Sequence, residues 1–159
     1  MEKHQTSKSS DEHIITTICG EEENFARMNL LLYGISPRAV RVLFDKEFHP
    51  SCLNASIKKE TNTINDLKNK RIINQSQWDL LFPRNGSTNS NKFDVSLMVT
   101  LLTNLTELKH YNIMPLEADT TQAADLARIK HYRNNIAHNQ EGKMEYSNFN
   151  TEWNAIIQV

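Results

Sequence analysis

The sequence predicts an all-α bundle folded as one domain, and three observations carry that prediction. A chain of 159 residues is one domain long, and its 38% hydrophobic and 23% charged residues supply a core without the charge excess of a disordered chain. Four Gly and four Pro leave too little punctuation for a succession of short strands. Apolar residues recur at spacings of three and four along most of the chain, the signature of buried helix faces.

Residues 1–13 are polar, and residues 1–20 read as a disordered or weakly ordered tail, leaving 21–159 as the helical domain. Acidic residues from Glu21 onward suit a helix N-terminus, and Phe25, Met28, Leu32 and Ile35 continue on one face. Gly34 is expected to stop that helix, with Ser36-Pro37 as N-cap and first residue of the next. Val40, Leu43, Phe44 and Phe48 line the second helix, and His49-Pro50 ends it. A third helix is predicted from Ser51, with Leu53, Ile57, Ile64 and Leu67 in one stripe and Lys58, Lys59, Lys68, Lys70 and Arg71 outside. Asn74 to Gln77 form a capping pattern for a short helix through Trp78, Leu80 and Leu81, stopped by Pro83. After a polar loop at 84–91, residues 93–110 are the most apolar helix, so broadly apolar that it belongs at the bundle centre. Asp119 to Gln122 cap a long helix running to His138 or Asn139. Beyond Gly142, Tyr146, Phe149, Trp153 and Ile156 mark the last one.

The net charge of −1 announces neither nucleic acid nor membrane, so any basic surface must be local. Cys19 and Cys52 are too few for a disulfide scaffold or a ribbon-type zinc site and read as free thiols. The N-terminus has no apolar signal segment and the best apolar run is broken by Ser96, Thr100, Thr103 and Asn104; the expectation is a cytoplasmic protein with no membrane span. No Gly-rich phosphate loop occurs, and His131 and His138 lack further ligands at metal spacing, so neither cofactor nor metal is expected.

Residues 128–139 draw attention: an Arg, two amides and a His fall within six residues at a helix C-terminus. Arg133 and His138 lie about 140° apart around a helix. They either flank a cleft, completed by a loosened helix end or a second subunit, or are surface residues favoured there by the dipole.

Arg133-Asn134-x-x-x-His138 resembles the arginine–histidine motif of the HEPN (higher eukaryotes and prokaryotes nucleotide-binding) superfamily. The longer stretches LKNKRIINQSQWDLLFP (67–83), FDVSLMVTLLTNL (93–105), ADTTQAADLARIKHYRNNIAH (118–138) and FNTEWNAI (149–156) are more specific. In order and context they resemble the HEPN subfamily found in the DAZ-interacting zinc-finger E3 ubiquitin ligase and in invertebrate immune-type proteins. The gap of four residues between Arg133 and His138 is at the short end for the superfamily, and residues 111–114 lack the Gly-Trp typical of the subfamily.

The resemblance implies a helical bundle that homodimerises, with motifs of both subunits meeting in one cleft. It implies RNA binding and, in many members, metal-independent RNA cleavage. His138 would then act on the 2′-OH or leaving oxygen as general base or acid, Arg133 would neutralise charge developing on the phosphate, and Asn134 would orient one of these groups. Lys58, Lys59, Lys70 and Arg71 are candidates to track an RNA backbone, and Tyr132 to stack on a base. The competing reading is a non-catalytic homotypic adaptor with partner proteins in innate immunity or ubiquitin signalling. No RING accompanies the domain in this sequence, so ligase activity is not expected of it.

Overall fold

The computed structural model describes residues 18–108 and 110–158; of the segment read as a tail, residues 1–17 fall outside these bounds. Helices α1 (Gly20–Asn29), α2 (Ser36–Glu47), α3 (Leu53–Lys59), α4 (Thr61–Asn69), α5 (Gln75–Leu81), α6 (Val95–Leu105), α7 (Gln122–His138) and α8 (Tyr146–Ile157) follow one another, with no strand among the described residues. The fold class is the predicted one.

Most side chains expected inside are inside, but Ile35 and Tyr146, expected on apolar helix faces, are exposed, and Trp153 is only partly buried. The main core gathers Val40, Phe44, Ile57, Ile64, Leu81 and Phe93 around α6, whose Leu97, Met98, Leu101 and Leu102 are completely buried. Each such side chain contributes about 1.5–3 kcal/mol of burial. A second, smaller core joins Met28 and Leu32 to Tyr132, Ile136, Phe149 and Ile156. Helix α7 belongs to both, through Leu126 and Ile129 in the first and Tyr132 and Ile136 in the second. Across the second core, the Arg27 guanidinium lies over the rings of Phe149 and Trp153, at 5.2 and 5.3 Å, tying α1 to α8.

Three element boundaries differ from expectation, each for a local reason. Gly34 does not stop α1: a wide π turn, Leu30–Ile35, carries the chain straight into α2. Ser36 is therefore helical rather than an N-cap, and its hydroxyl donates back to the Leu31 carbonyl at 2.9 Å. Gly34 supplies room instead, since a Cβ there would stand 3.1 Å from Leu30 Cδ1. The predicted third helix breaks at Glu60 into α3 and α4, with the Thr61 hydroxyl taking the Lys58 carbonyl at 2.7 Å. Helix α6 ends at Leu105, not at residue 110, because Thr103, Asn104 and Thr106 side chains donate to the carbonyls of Val99, Thr100 and Leu102. Side-chain donors of this kind compete with the next backbone turn.

Two predicted caps form. Asn74 and Gln77 bond reciprocally across the start of α5, and the Thr121 hydroxyl accepts from Ala124 N at the start of α7. The polar loop at 84–91 is also fastened down: Thr88 donates to the Leu81 carbonyl and Ser90 to Asp45, both at 2.8 Å, while Arg41 holds the Ser90 and Phe93 carbonyls.

Candidate functional site on α7

The π turn decides where Arg133 goes. In its register the Ser36 N–H bonds the carbonyl of Leu31, five residues back. The next carbonyl, that of Leu32, faces position 37, which is proline and has no N–H to give. Arg133 fills the gap: its Nη1 donates to the Leu32 carbonyl at 2.7 Å. Its guanidinium also lies 4.1 Å from the centroid of the Tyr33 ring, and the Tyr33 hydroxyl returns a hydrogen bond to the Arg133 carbonyl at 3.1 Å. Burial lowers the basicity of Arg133, opposed by the charges of Tyr33 and Asp94. It remains a cation at neutral pH, since guanidinium does not deprotonate in proteins.

Asn134 and His138 are exposed, and no hydrogen bond joins either to Arg133. His138 is the last residue of α7, about 140° around the helix from Arg133. One chain therefore holds the arginine fixed, with the histidine unbonded among the described residues and on a different side of the helix. Tyr132 is only 8% exposed and packs in the second core, so its ring faces are not open for stacking on a base. Burial, followed by the charge of Glu152, raises the pKa of its hydroxyl.

Lys58, Lys59, Lys70 and Arg71 are all exposed, the first two on α3 and the others in the turn after α4. Lys70 pairs with Asp66 at 2.7 Å, and Arg71 adopts a left-handed backbone with φ of 60°. The neighbours on which α7 chiefly packs are α6, α8 and the π turn, so this basic group is not assembled with the motif. Trp78, partly buried, packs on the Phe82 ring with the Lys68 ammonium 4.4 Å from its own ring. Among the described residues no cluster of three His, Cys, Asp or Glu side chains is arranged to hold a metal, and no helix is long and apolar enough to cross a membrane.

The family profile described as DZIP3/hRUL138-like HEPN matches residues 50–159. The chain belongs to that HEPN family. A relative, the E3 ubiquitin-protein ligase DZIP3 of Homo sapiens, is 27% identical over 130 residues. The match takes in 76% of this HEPN chain but spans only 11% of the relative's length. No solved structure matches the chain.

The HEPN motif is thus embedded in contacts that sequence reading missed. Tyr33 and the Leu32 carbonyl hold Arg133, and Pro37 is the residue that frees that carbonyl. Arg128, 6% exposed, donates to Asp125 at 3.0 Å and to the carbonyls of Leu116 and Asp119 at 2.7 and 2.6 Å. It pins the segment before α7 onto the helix. The dipeptide Ser36-Pro37, two residues after Gly34, was the visible signal for an unusual carbonyl, but only its partner across the fold gives it meaning.

Proposed function

We propose that this HEPN domain binds RNA along the motif face of α7 and, as a homodimer in the cytoplasm, cleaves it without a metal in a cleft shared by two copies. The observation that supports this best is the fixed guanidinium of Arg133. Among the described residues it spends one N–H on Leu32 and is stacked on Tyr33, so its remaining donors are oriented in advance. A donor that need not reorganise is what developing phosphate charge requires. Arg133 would stabilise that charge, His138 would transfer the proton, and Asn134 would orient the phosphate. The second copy is needed because Arg133 and His138 diverge within one chain.

The test is incubation in EDTA with end-labelled mixed-sequence RNA, beside His138→Ala, Arg133→Ala and Arg133→Lys. Cleavage by the wild type alone, leaving 2′,3′-cyclic phosphate ends, is expected, with a loss of about 100-fold or more for His138→Ala. Intact RNA at concentrations where sedimentation shows a dimer overturns cleavage.

One observation favours the adaptor reading. Leu30, Tyr33 and Ile35 are 65%, 44% and 51% exposed on the π turn beside Arg133, an apolar surface suited to a protein contact. On that reading the domain joins protein partners of immune or ubiquitin pathways and cleaves nothing.

A further inference from the structure

A cleft lies beside the motif, on the exposed side of α7. It encloses about 510 Å³ between residues 110–114 and the helix face carrying Ala127, Lys130, His131 and Asn134. Those four positions are spaced as one helical stripe, and the small Ala127 leaves the floor open. His110 and Tyr111 form the opposite wall. The polar lining therefore consists of one ammonium, two imidazoles, two amides and a phenol, with no carboxylate.

The nearby carboxylates of Asp119 and Asp125 are already engaged, Asp119 behind the cleft wall through Tyr111. Asp119 takes the Tyr111 hydroxyl and caps Thr121, and Asp125 is paired with Arg128. The wall opposite the helix is held in place rather than left to collapse. Arg128 grips the Leu116 and Asp119 carbonyls, and Pro115 is buried beneath the same segment. His131 is oriented by a 3.2 Å contact with the Asn135 amide.

We propose that this cleft is a phosphate-binding subsite, occupied by a backbone phosphate of RNA next to the one at Arg133. The RNA occupant rests on the function proposed above. Lys130 supplies the fixed charge, and His110, His131 and Asn134 supply N–H donors around a tetrahedral oxyanion. Asn134 lies at the rim, one residue from Arg133, so a single strand passing along α7 meets both places. The α3–α4 lysines are not needed for this path.

The experiment uses the intact chain and a 2′-O-methyl RNA that cannot be cleaved, with affinity measured across a salt series. Lys130→Glu combined with His131→Ala is expected to weaken binding at least tenfold and to lower the salt slope by about 1, while Lys58→Ala with Lys59→Ala leaves both unchanged. Both pairs are exposed, and circular dichroism verifies their fold. RNA binding that is indifferent to Lys130→Glu/His131→Ala overturns the subsite and leaves the RNA reading standing. Absence of RNA binding by the wild type overturns the RNA reading and RNA as the occupant. A titration with inorganic phosphate, followed by the ¹⁵N resonances of residues 110–114 and 130–134, then decides the cleft by itself. Saturable shifts confined to those residues support an anion site, and their absence overturns it.

Discussion

Arg133 answers two demands with one side chain. The Leu32 carbonyl is deprived of a helical donor by Pro37, and the guanidinium that satisfies it is also the one proposed to meet a phosphate. An unpaired carbonyl in this setting costs about 1–3 kcal/mol, so Arg133→Ala is expected to destabilise the fold by that order, apart from any effect on RNA. Pro37→Ala restores an N–H at the starved position. The cost of Arg133→Ala should then shrink in the Pro37→Ala background, with a coupling of about 0.5 kcal/mol or more in urea denaturation. Additive behaviour of the two changes would show that the carbonyl is not what Arg133 serves. Among the described residues His138 has no comparable attachment, so His138→Ala is expected to leave stability within about 0.5 kcal/mol of wild type.

At the scale of elements, the sequence was informative wherever periodicity alone decides. The faces of α2, α6 and α8 and the caps of α5 and α7 were legible because each depends on residues within one turn or one stripe. The boundaries that were not legible depend on competition. Thr103, Asn104 and Thr106 each favour a back-bond slightly, and only their sum stops α6. The two halves of the third helix share one apolar stripe, so the break at Glu60 leaves no trace in the pattern. The end of α4 offers a direct check. Arg71 caps it in a left-handed conformation that costs a non-glycine residue about 1–2 kcal/mol, while the Ile72 N–H reaches the Leu67 carbonyl at 2.9 Å. Arg71→Gly is expected to raise stability by about 0.5–1 kcal/mol, less than the full strain because glycine also loosens the unfolded chain. Thermal unfolding measures it, and a destabilised variant would contradict the assignment of strain.

Over the whole molecule, the candidate site was legible in its letters and not in its arrangement. Arg133, Asn134 and His138 stand out in one short segment, but the partners of Arg133 come from α1's extension, far away in the chain. The titration of stability is likewise a property of the packed whole. Glu152 on α8 is half-buried, its Oε2 has no hydrogen-bond partner among the described residues, and burial raises its pKa. Burial also raises Asp125, with the charge of Arg128 opposing. A carboxyl whose folded pKa exceeds its unfolded value binds more protons when folded. Its penalty is full above the folded pKa and fades as pH falls toward the unfolded one, near 4.5 for Glu152. Glu22, lowered by its hydrogen bonds to Cys19, works in the opposite sense at the exposed start of α1. Glu152→Gln is therefore expected to stabilise the domain at pH 7, by on the order of 0.5 kcal/mol, and to flatten the rise in wild-type stability as the pH falls toward 4.5. Parallel pH profiles for the two proteins, measured by urea denaturation, would remove Glu152 from this account.

The proline that starves Leu32 also changes what the motif can be trusted to report. A lineage that gave up RNA chemistry would be free to discard the histidine, yet would still be held to the arginine for as long as it kept the proline. Descendants should therefore spell positions 37 and 133 together, and a surviving arginine is a record of architecture before it is a sign of a working nuclease.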